Sequence, residues 1–189
     1  MRGHRESCRT CKERVVELLT CAFGPIHANH DLNLPSSVGE WATLDHGDRL
    51  GRIYEALQKH RGHGQFVNVP KMPRVDYYVP NPGFIVEFDE SQHFTEPRGL
   101  TLALYPPDLR TGFDRDKWKA LCKTLNRHDN SPEYRDEQRA WYDALRDFAP
   151  ERLGCQPTRR LVARDRLWCE LDPDKAADVG AFLGSLKSQ

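Results

Sequence analysis

Residues 75–93 read VDYYVPNPGFIVEFDESQH, and the fold is decided there. VDYYV at 75–79 and FIVEFD at 84–89 are rich in the β-branched and aromatic residues that favour strands. Between them, Pro80-Asn81-Pro82-Gly83 places proline and glycine where turns require them. The stretch predicts a β-hairpin. Period two puts Phe84, Val86 and Phe88 on one face of the second strand and Ile85, Glu87 and Asp89 on the other. The first set belongs in a core, so the second carries two carboxylates on a strand that otherwise reads as buried. Register brings in a third. If the turn centres between Asn81 and Pro82, Asp76 lies opposite Glu87; if Pro82 and Gly83 are its central pair, Asp76 lies opposite Asp89. Like charges directly opposite destabilise a sheet, so something must offset them. A divalent cation would, because Mg²⁺ prefers hard oxygen ligands. A base such as Lys71 or Arg74, or a carboxyl that keeps its proton, would do the same.

Outward from the hairpin, Val15, Val16, Leu18 and Leu19 recur at helical spacing and predict a helix over about 8–21, closed by Gly24-Pro25. IHANHDLNL at 26–34 and QFVNV at 65–69 read as short strands. Leu50, Ile53, Tyr54 and Leu57 share one face of a helix over 46–60. Residues 97–113, with their prolines and glycines around TLALY, read as a loop. Trp118, Leu121, Cys122 and Leu125 form the apolar stripe of a helix over 115–126; Lys119, Lys123 and Arg127 form a basic one. A helix over 133–148 groups Trp141, Leu145 and Phe148. RRLVARDRLWCEL at 159–171 reads as one or two strands, and Asp172-Pro173 opens a last helix. The expected fold class is α/β: a central mixed β-sheet flanked by helices, one domain over 1–189 with a helical insertion at about 37–64.

Lys plus Arg and Asp plus Glu both number 28, so the formal net charge is zero. That excludes a strongly basic, histone-like nucleic-acid binder and leaves room for a local basic patch. Mean hydropathy is −0.74, polar for a globular chain, but 10% aromatic residues are too many for a disordered one. No run is apolar enough to span a membrane, and MRGHRESCRTCKER lacks the apolar core of a secretory signal. A cytoplasmic protein with no membrane partner and reduced thiols is expected. Cys8-x-x-Cys11 with Cys21, His27 and His30 has the chemistry of a tetrahedral zinc site. Both cysteines, however, start an amphipathic helix, where they are expected to point in different directions, and no second C-x-x-C exists. A structural Zn²⁺ at Cys8 and Cys11 is therefore not expected.

An aspartate followed by a glutamate at the end of the next strand, here Asp76 and Glu87, resembles the core of PD-(D/E)XK nucleases, the restriction-endonuclease-like superfamily. Glu87-Phe88-Asp89-Glu90-Ser91-Gln92-His93 is similar to the E-x-D-G-x-x-H motif of domains related to the very short patch repair endonuclease. Val75-Asp76-Tyr77-Tyr78 resembles the VDFY of their aspartate strand. Those domains begin with a helix carrying a glutamate before a hydrophobic pair, the place of Glu13, with Glu17 as second candidate. They continue with a helix rich in Asp and Arg, a strand and a final helix, the order of DEQRAWYDALRDF, RRLVA and the last helix. The likeness is specific over 75–93 and loose over about 8–34 and 65–187. Asp89 stands where the signature lysine would be, a loss shared by relatives with this motif, and Glu90 replaces the usual glycine.

The resemblance implies a restriction-endonuclease-like fold and a nuclease dependent on Mg²⁺ or Mn²⁺. Its substrate would be nucleic acid, DNA first, in repair, restriction or anti-phage defence. It implies catalytic roles for Asp76, Glu87, Asp89, Gln92, His93 and Glu13, with Asp76, Glu87 and Asp89 as metal ligands. Activation of the nucleophile then falls to Gln92, His93 or a base such as Lys117. Lys119, Lys123 and Arg127 would contact the nucleic acid. A homodimer, or a larger defence or repair complex, would suit such an enzyme. The alternative is a module that keeps the fold, has lost cleavage, and binds nucleic acid or a protein partner.

Overall fold

The computed structural model describes residues 8–187; residues 1–7, part of the N-terminal stretch read above, and 188–189 lie outside it. Helix α1 (Arg9–Phe23) is capped by the Cys8 thiol, which accepts the Cys11 N–H, and closes at Gly24, whose φ of 80° favours glycine. Strand β1 (His27–His30) and helix α2 (Gly47–Arg61) follow. The hairpin is strand β2 (Val75–Val79) and strand β3 (Phe84–Asp89), with the bounds expected. Helices α3 (Glu96–Ala103), α4 (Arg115–Leu125) and α5 (Arg135–Leu153) lead to strand β4 (Gln156–Val162), and helix α6 (Ala176–Lys187) ends the described chain.

The four strands lie in the order β1-β2-β3-β4. The β1–β2 and β2–β3 pairs are antiparallel, while β3 and β4 run parallel. A parallel pair cannot be joined by a tight turn, and α3, α4 and α5 form the crossover. The architecture is thus α/β, a mixed sheet flanked by helices, as the alternating patterns require. All six residues of β3 are buried because both faces are covered. Phe84, Val86 and Phe88 pack with Val15, Leu18, Leu19, Phe182 and Leu186 of α1 and α6. Ile85 faces a second core built on Trp141, Leu145 and Phe148 of α5.

Three expectations change, and one is narrowed. QFVNV is not a strand: Phe66 is buried in the α5-side core, and its carbonyl accepts a hydrogen bond from Gln138 Nε2 rather than from a ladder. Residues 97–113 are not wholly loop. Thr95 caps α3 by accepting the Arg98 N–H, and Pro97 sits in the first turn, where its missing donor is harmless. The 159–171 stretch yields one strand, β4, followed by 3-10 turns at 163–165 and 168–170. The last helix begins at Ala176 rather than beside Pro173; the Asp172 carbonyl closes a turn onto the Lys175 N–H first.

The 37–64 segment contains a 3-10 turn at Val38–Trp41 and α2, whose Leu50, Ile53 and Leu57 are fully buried with Trp141 and Phe148. Whatever its origin, this segment completes the core over α5. Leu57→Ala should accordingly lower global stability by about 2–5 kcal/mol. In urea denaturation the whole transition should move as one. A separate early α2 transition, with the main one unmoved, would show an appended element instead.

Candidate functional site

The polar face of β3 lies under α5, and α5 answers it with charge. Asp143, Arg146 and Asp147 are spaced i, i+3, i+4 and therefore share the helix face turned to the sheet. Arg160 joins them from β4, where it pairs directly with Glu87. Its guanidinium is fully buried and all three nitrogens donate: Nε to Asp147 Oδ1 at 2.8 Å, one terminal nitrogen to Asp89 Oδ1 at 2.8 Å and Oδ2 at 3.1 Å, and the other to the Asp143 carbonyl at 3.1 Å. From α3, Arg98 donates to Asp147 Oδ2 at 2.7 Å and to Tyr105 Oη at 2.7 Å; the Tyr105 hydroxyl donates in turn to Asp147 Oδ2 at 2.8 Å. From α4, Trp118 Nε1 donates to Asp89 Oδ2 at 2.7 Å.

At the edge of this layer lie Asp76 and Glu87. The hairpin has the register that sets them opposite, since Tyr77 pairs with Val86 and Val79 with Phe84. Beyond Tyr77 and Val86 the carboxylates replace the ladder. The Phe88 N–H donates to Asp76 Oδ2 at 2.9 Å, and the Asp76 N–H donates to Glu87 Oε1 at 3.2 Å. Each remaining oxygen meets a cation: Lys12 Nζ of α1 lies 3.3 Å from Asp76 Oδ1, and Arg146 Nε lies 3.4 Å from Glu87 Oε2. Lys12 and Asp76 reach solvent, with side chains 39% and 28% exposed, whereas Glu87 is 4% exposed.

Burial raises the Glu87 carboxyl to about 8; Arg146 only partly opposes this, and the nearby Asp76 charge adds to it. Two of the offsets weighed for the repulsion therefore operate together, a neighbouring base and a retained proton, although the bases are Lys12 and Arg146 rather than Lys71 or Arg74. His93 belongs to the same layer. Its Nδ1 lies 2.9 Å from Asp143 Oδ2 and 3.7 Å from Asp89 Oδ1. Burial would lower its pKa, but the ion pair and hydrogen bond with Asp143 outweigh that and hold it above the ordinary value. For Asp143, burial is likewise outweighed by His93 and Arg160, and its carboxyl is held well below the usual range.

The expected residues thus divide. Asp76 and Glu87 come together, with His93 at the margin of the same layer. Asp89 does not join them as a free ligand, because Arg160 and Trp118 take both its oxygens. Glu13 lies on the exposed side of α1, paired with Arg9 at 3.0 Å; its neighbour Lys12 is the residue that reaches the site. Gln92 is exposed and donates to Glu90, while Lys117 pairs with Asp165 at 2.7 Å on α4. Lys119 and Lys123 line a cleft with His60 and Glu96, but α4 ends at Leu125 and Asn126 turns left-handed, so Arg127 leaves the stripe. Asp143, Arg146, Asp147, Arg160, Arg98 and Lys12 were not singled out from sequence. For Asp143, Arg146 and Asp147 the one signal in the sequence is the Asp- and Arg-rich helix over DEQRAWYDALRDF; that stretch does not include Arg160, Arg98 or Lys12.

No protein-family model, no curated protein and no solved structure matches this chain.

The Glu87 shift sets a pH dependence. The folded chain keeps this proton up to about pH 8, while the unfolded chain releases it near 4.5. Between those values the folded state holds more protons, so stability falls as pH rises and levels off above the window. In EDTA, melting of the wild type followed from about pH 5 to about pH 9 should show a loss of roughly a few kcal/mol. Glu87→Gln, which mimics the neutral acid, should match the wild type at the acid end and flatten that slope, leaving the contribution of His93 and, towards the alkaline end, those of the buried thiols Cys11, Cys122 and Cys155, whose pKa values burial also raises. A slope unchanged by the substitution would mean that Glu87 is ionised throughout.

Proposed function

We propose that the chain is a metal-dependent nuclease that hydrolyses phosphodiester bonds of nucleic acid, with DNA in repair, restriction or defence as its first candidate substrate. The observation that carries the reading is the meeting of Asp76 and Glu87 at the opened end of the hairpin, with Lys12 beside them. The donor set suits Mg²⁺ or Mn²⁺, being two hard carboxylates of which Asp76 is reachable from solvent. Such an ion would polarise the scissile phosphate and supply an activated water.

The chain's own residues would do the rest. Asp76 and Glu87 hold the ion, and their bonds to the Phe88 and Asp76 N–H groups fix the carboxylate planes. Lys12 sets an ammonium where the signature lysine is missing, in reach of a phosphate oxygen once it leaves Asp76. His93, held through Nδ1 by Asp143, presents Nε2 on its other edge for proton transfer. Lys119 and Lys123 supply positive charge along the cleft with His60.

One observation favours the second reading, a binding module without cleavage. All four oxygens of Asp76 and Glu87 already have partners, so an ion must displace Lys12 or Arg146. Cleavage of a panel of DNA and RNA forms with Mg²⁺ and Mn²⁺ separates the two. Asp76→Asn keeps an acceptor for the Phe88 N–H and strands only a half-exposed lysine, so the melting temperature in EDTA should hold while cleavage drops by orders of magnitude. No cleavage of any form, and no calorimetric Mg²⁺ binding, would leave the module reading.

The basic stripe has its own test. Lys119→Ala, Lys123→Ala and Arg127→Ala together should weaken nucleic-acid binding on every sequence and flatten its salt dependence. Unchanged affinity and slope would make the stripe plain solvated surface.

A further inference from the structure

Away from the carboxylates, α1 carries a second cluster. The Sγ atoms of Cys8, Cys11 and Cys169 all lie within 4.8 Å of one another. Cys8 and Cys11 come from the first turn of α1, and Cys169 from the 3-10 turn 168–170, against which that helix packs. The expectation that the two α1 cysteines diverge does not hold. The other residues considered with them do lie elsewhere. Cys21 is exposed and contacts the Pro173 carbonyl, while His27 and His30 stack on each other and on Tyr78 at the sheet edge.

We propose that Cys8, Cys11 and Cys169 bind one Zn²⁺ that clamps α1 onto the 168–170 turn. Tetrahedral Zn²⁺ with bonds of about 2.3 Å needs sulfurs about 3.8 Å apart, so the cluster has to contract by about 1 Å at most. Three sulfurs also distinguish an ion from a disulfide. None of the six cysteines is disulfide-bonded; any disulfide among these three would leave one thiol over, whereas a metal engages all of them.

Cys8 is the N-cap, a place usually held by Ser, Thr, Asp or Asn, and its sulfur accepts the Cys11 N–H at 3.2 Å, which holds it over the first turn of the helix. Burial pushes the Cys11 thiol up to about 12, so an ion has to displace that proton when it binds. The surroundings are half closed: Cys11 is buried, Cys8 and Cys169 are partly so, and Trp168 beside Cys169 is fully buried. Among the described residues no fourth His, Cys, Asp or Glu joins the three, which leaves the fourth position to a light donor such as water.

The clamp has a consequence for the carboxylate site without depending on its function. Lys12 follows Cys11 directly, so fixing the first turn of α1 fixes the ammonium 3.3 Å from Asp76. Removing the ion should loosen that end of the helix.

The test uses the full chain, reduced and supplied with ZnCl₂, then freed of loose metal. Elemental analysis should give about one zinc per chain, and cobalt substitution should give the intense visible bands and sulfur-to-metal charge transfer of a tetrahedral thiolate site. Cys169→Ser and Cys8→Ser should each lose at least nine-tenths of the metal, and Cys21→Ser none. Because the serine variants could fail to fold, the chelator-stripped wild type is also melted with Zn²⁺ or Mg²⁺ added; Zn²⁺ alone should raise the melting temperature. Zinc retained equally by Cys169→Ser, or a reduced wild type that neither holds zinc nor is stabilised by it, would overturn the proposal.

Discussion

A guanidinium taken out of water costs several kcal/mol unless each donor meets an acceptor of suitable charge. Arg160 is in that position, fully buried between β3, β4 and α5. Its partners, Asp89, Asp147 and the Asp143 carbonyl, fix the height and rotation of α5 over the sheet. Arg98 draws α3 onto the same Asp147, and Trp118 draws α4 onto the same Asp89. The whole crossover from β3 to β4 is therefore registered on two carboxylates. A hydrophobic layer of equal volume would hold sheet and helix at least as well. Stability alone does not account for ions at this place; what they add is a fixed arrangement of charge under the end of the hairpin.

The parts of this arrangement that were legible in sequence are those set by local periodicity. VDYYV and FIVEFD carry strand composition and a turn between them, so the hairpin and the shared face of Asp76 and Glu87 follow from period two. The layer above them was not legible. Asp143, Arg146 and Asp147 stand at i, i+3, i+4, the spacing of a solvated stripe as much as of a buried one. Only the packing of α5 decides between the two, and its polar residues are buried on nearly every side. The exchange of Glu13 for Lys12 has a similar cause. Adjacent helix positions differ by about 100° in direction, so a motif aligned one residue off selects the solvent face. Cys169 lies too far along the chain from Cys11 for spacing to relate them. The reading of 97–113 as loop shows the opposite error, in which Pro97 and Gly99 were weighed as breakers although Pro97 stands where a helix tolerates it.

The balance of charge in the layer singles out one position. Asp76, Glu87, Asp89, Asp143 and Asp147 are five carboxylates; Lys12, Arg98, Arg146 and Arg160 are four permanent cations, and His93, paired with Asp143, is the titratable fifth. The compensation is not spread evenly. Asp89 accepts from both Arg160 and Trp118, and Asp147 from Arg98, Arg160 and Tyr105. Glu87 has one backbone hydrogen bond, from the Asp76 N–H at 3.2 Å, and an ion pair at 3.4 Å, and among the described residues the Arg146 Nε that makes the pair has no hydrogen bond. The weakest compensation thus falls at the carboxyl facing Asp76. This is why burial can raise Glu87 to about 8 while the more deeply paired Asp143 is held low. A proton is one cation that closes such a gap. A divalent ion is another, and it can serve Asp76 at the same time, where the offsetting Lys12 is half-exposed. The same network that immobilises α5 therefore leaves its least compensated carboxyl at the opened end of the hairpin, itself buried but beside Asp76, which reaches solvent.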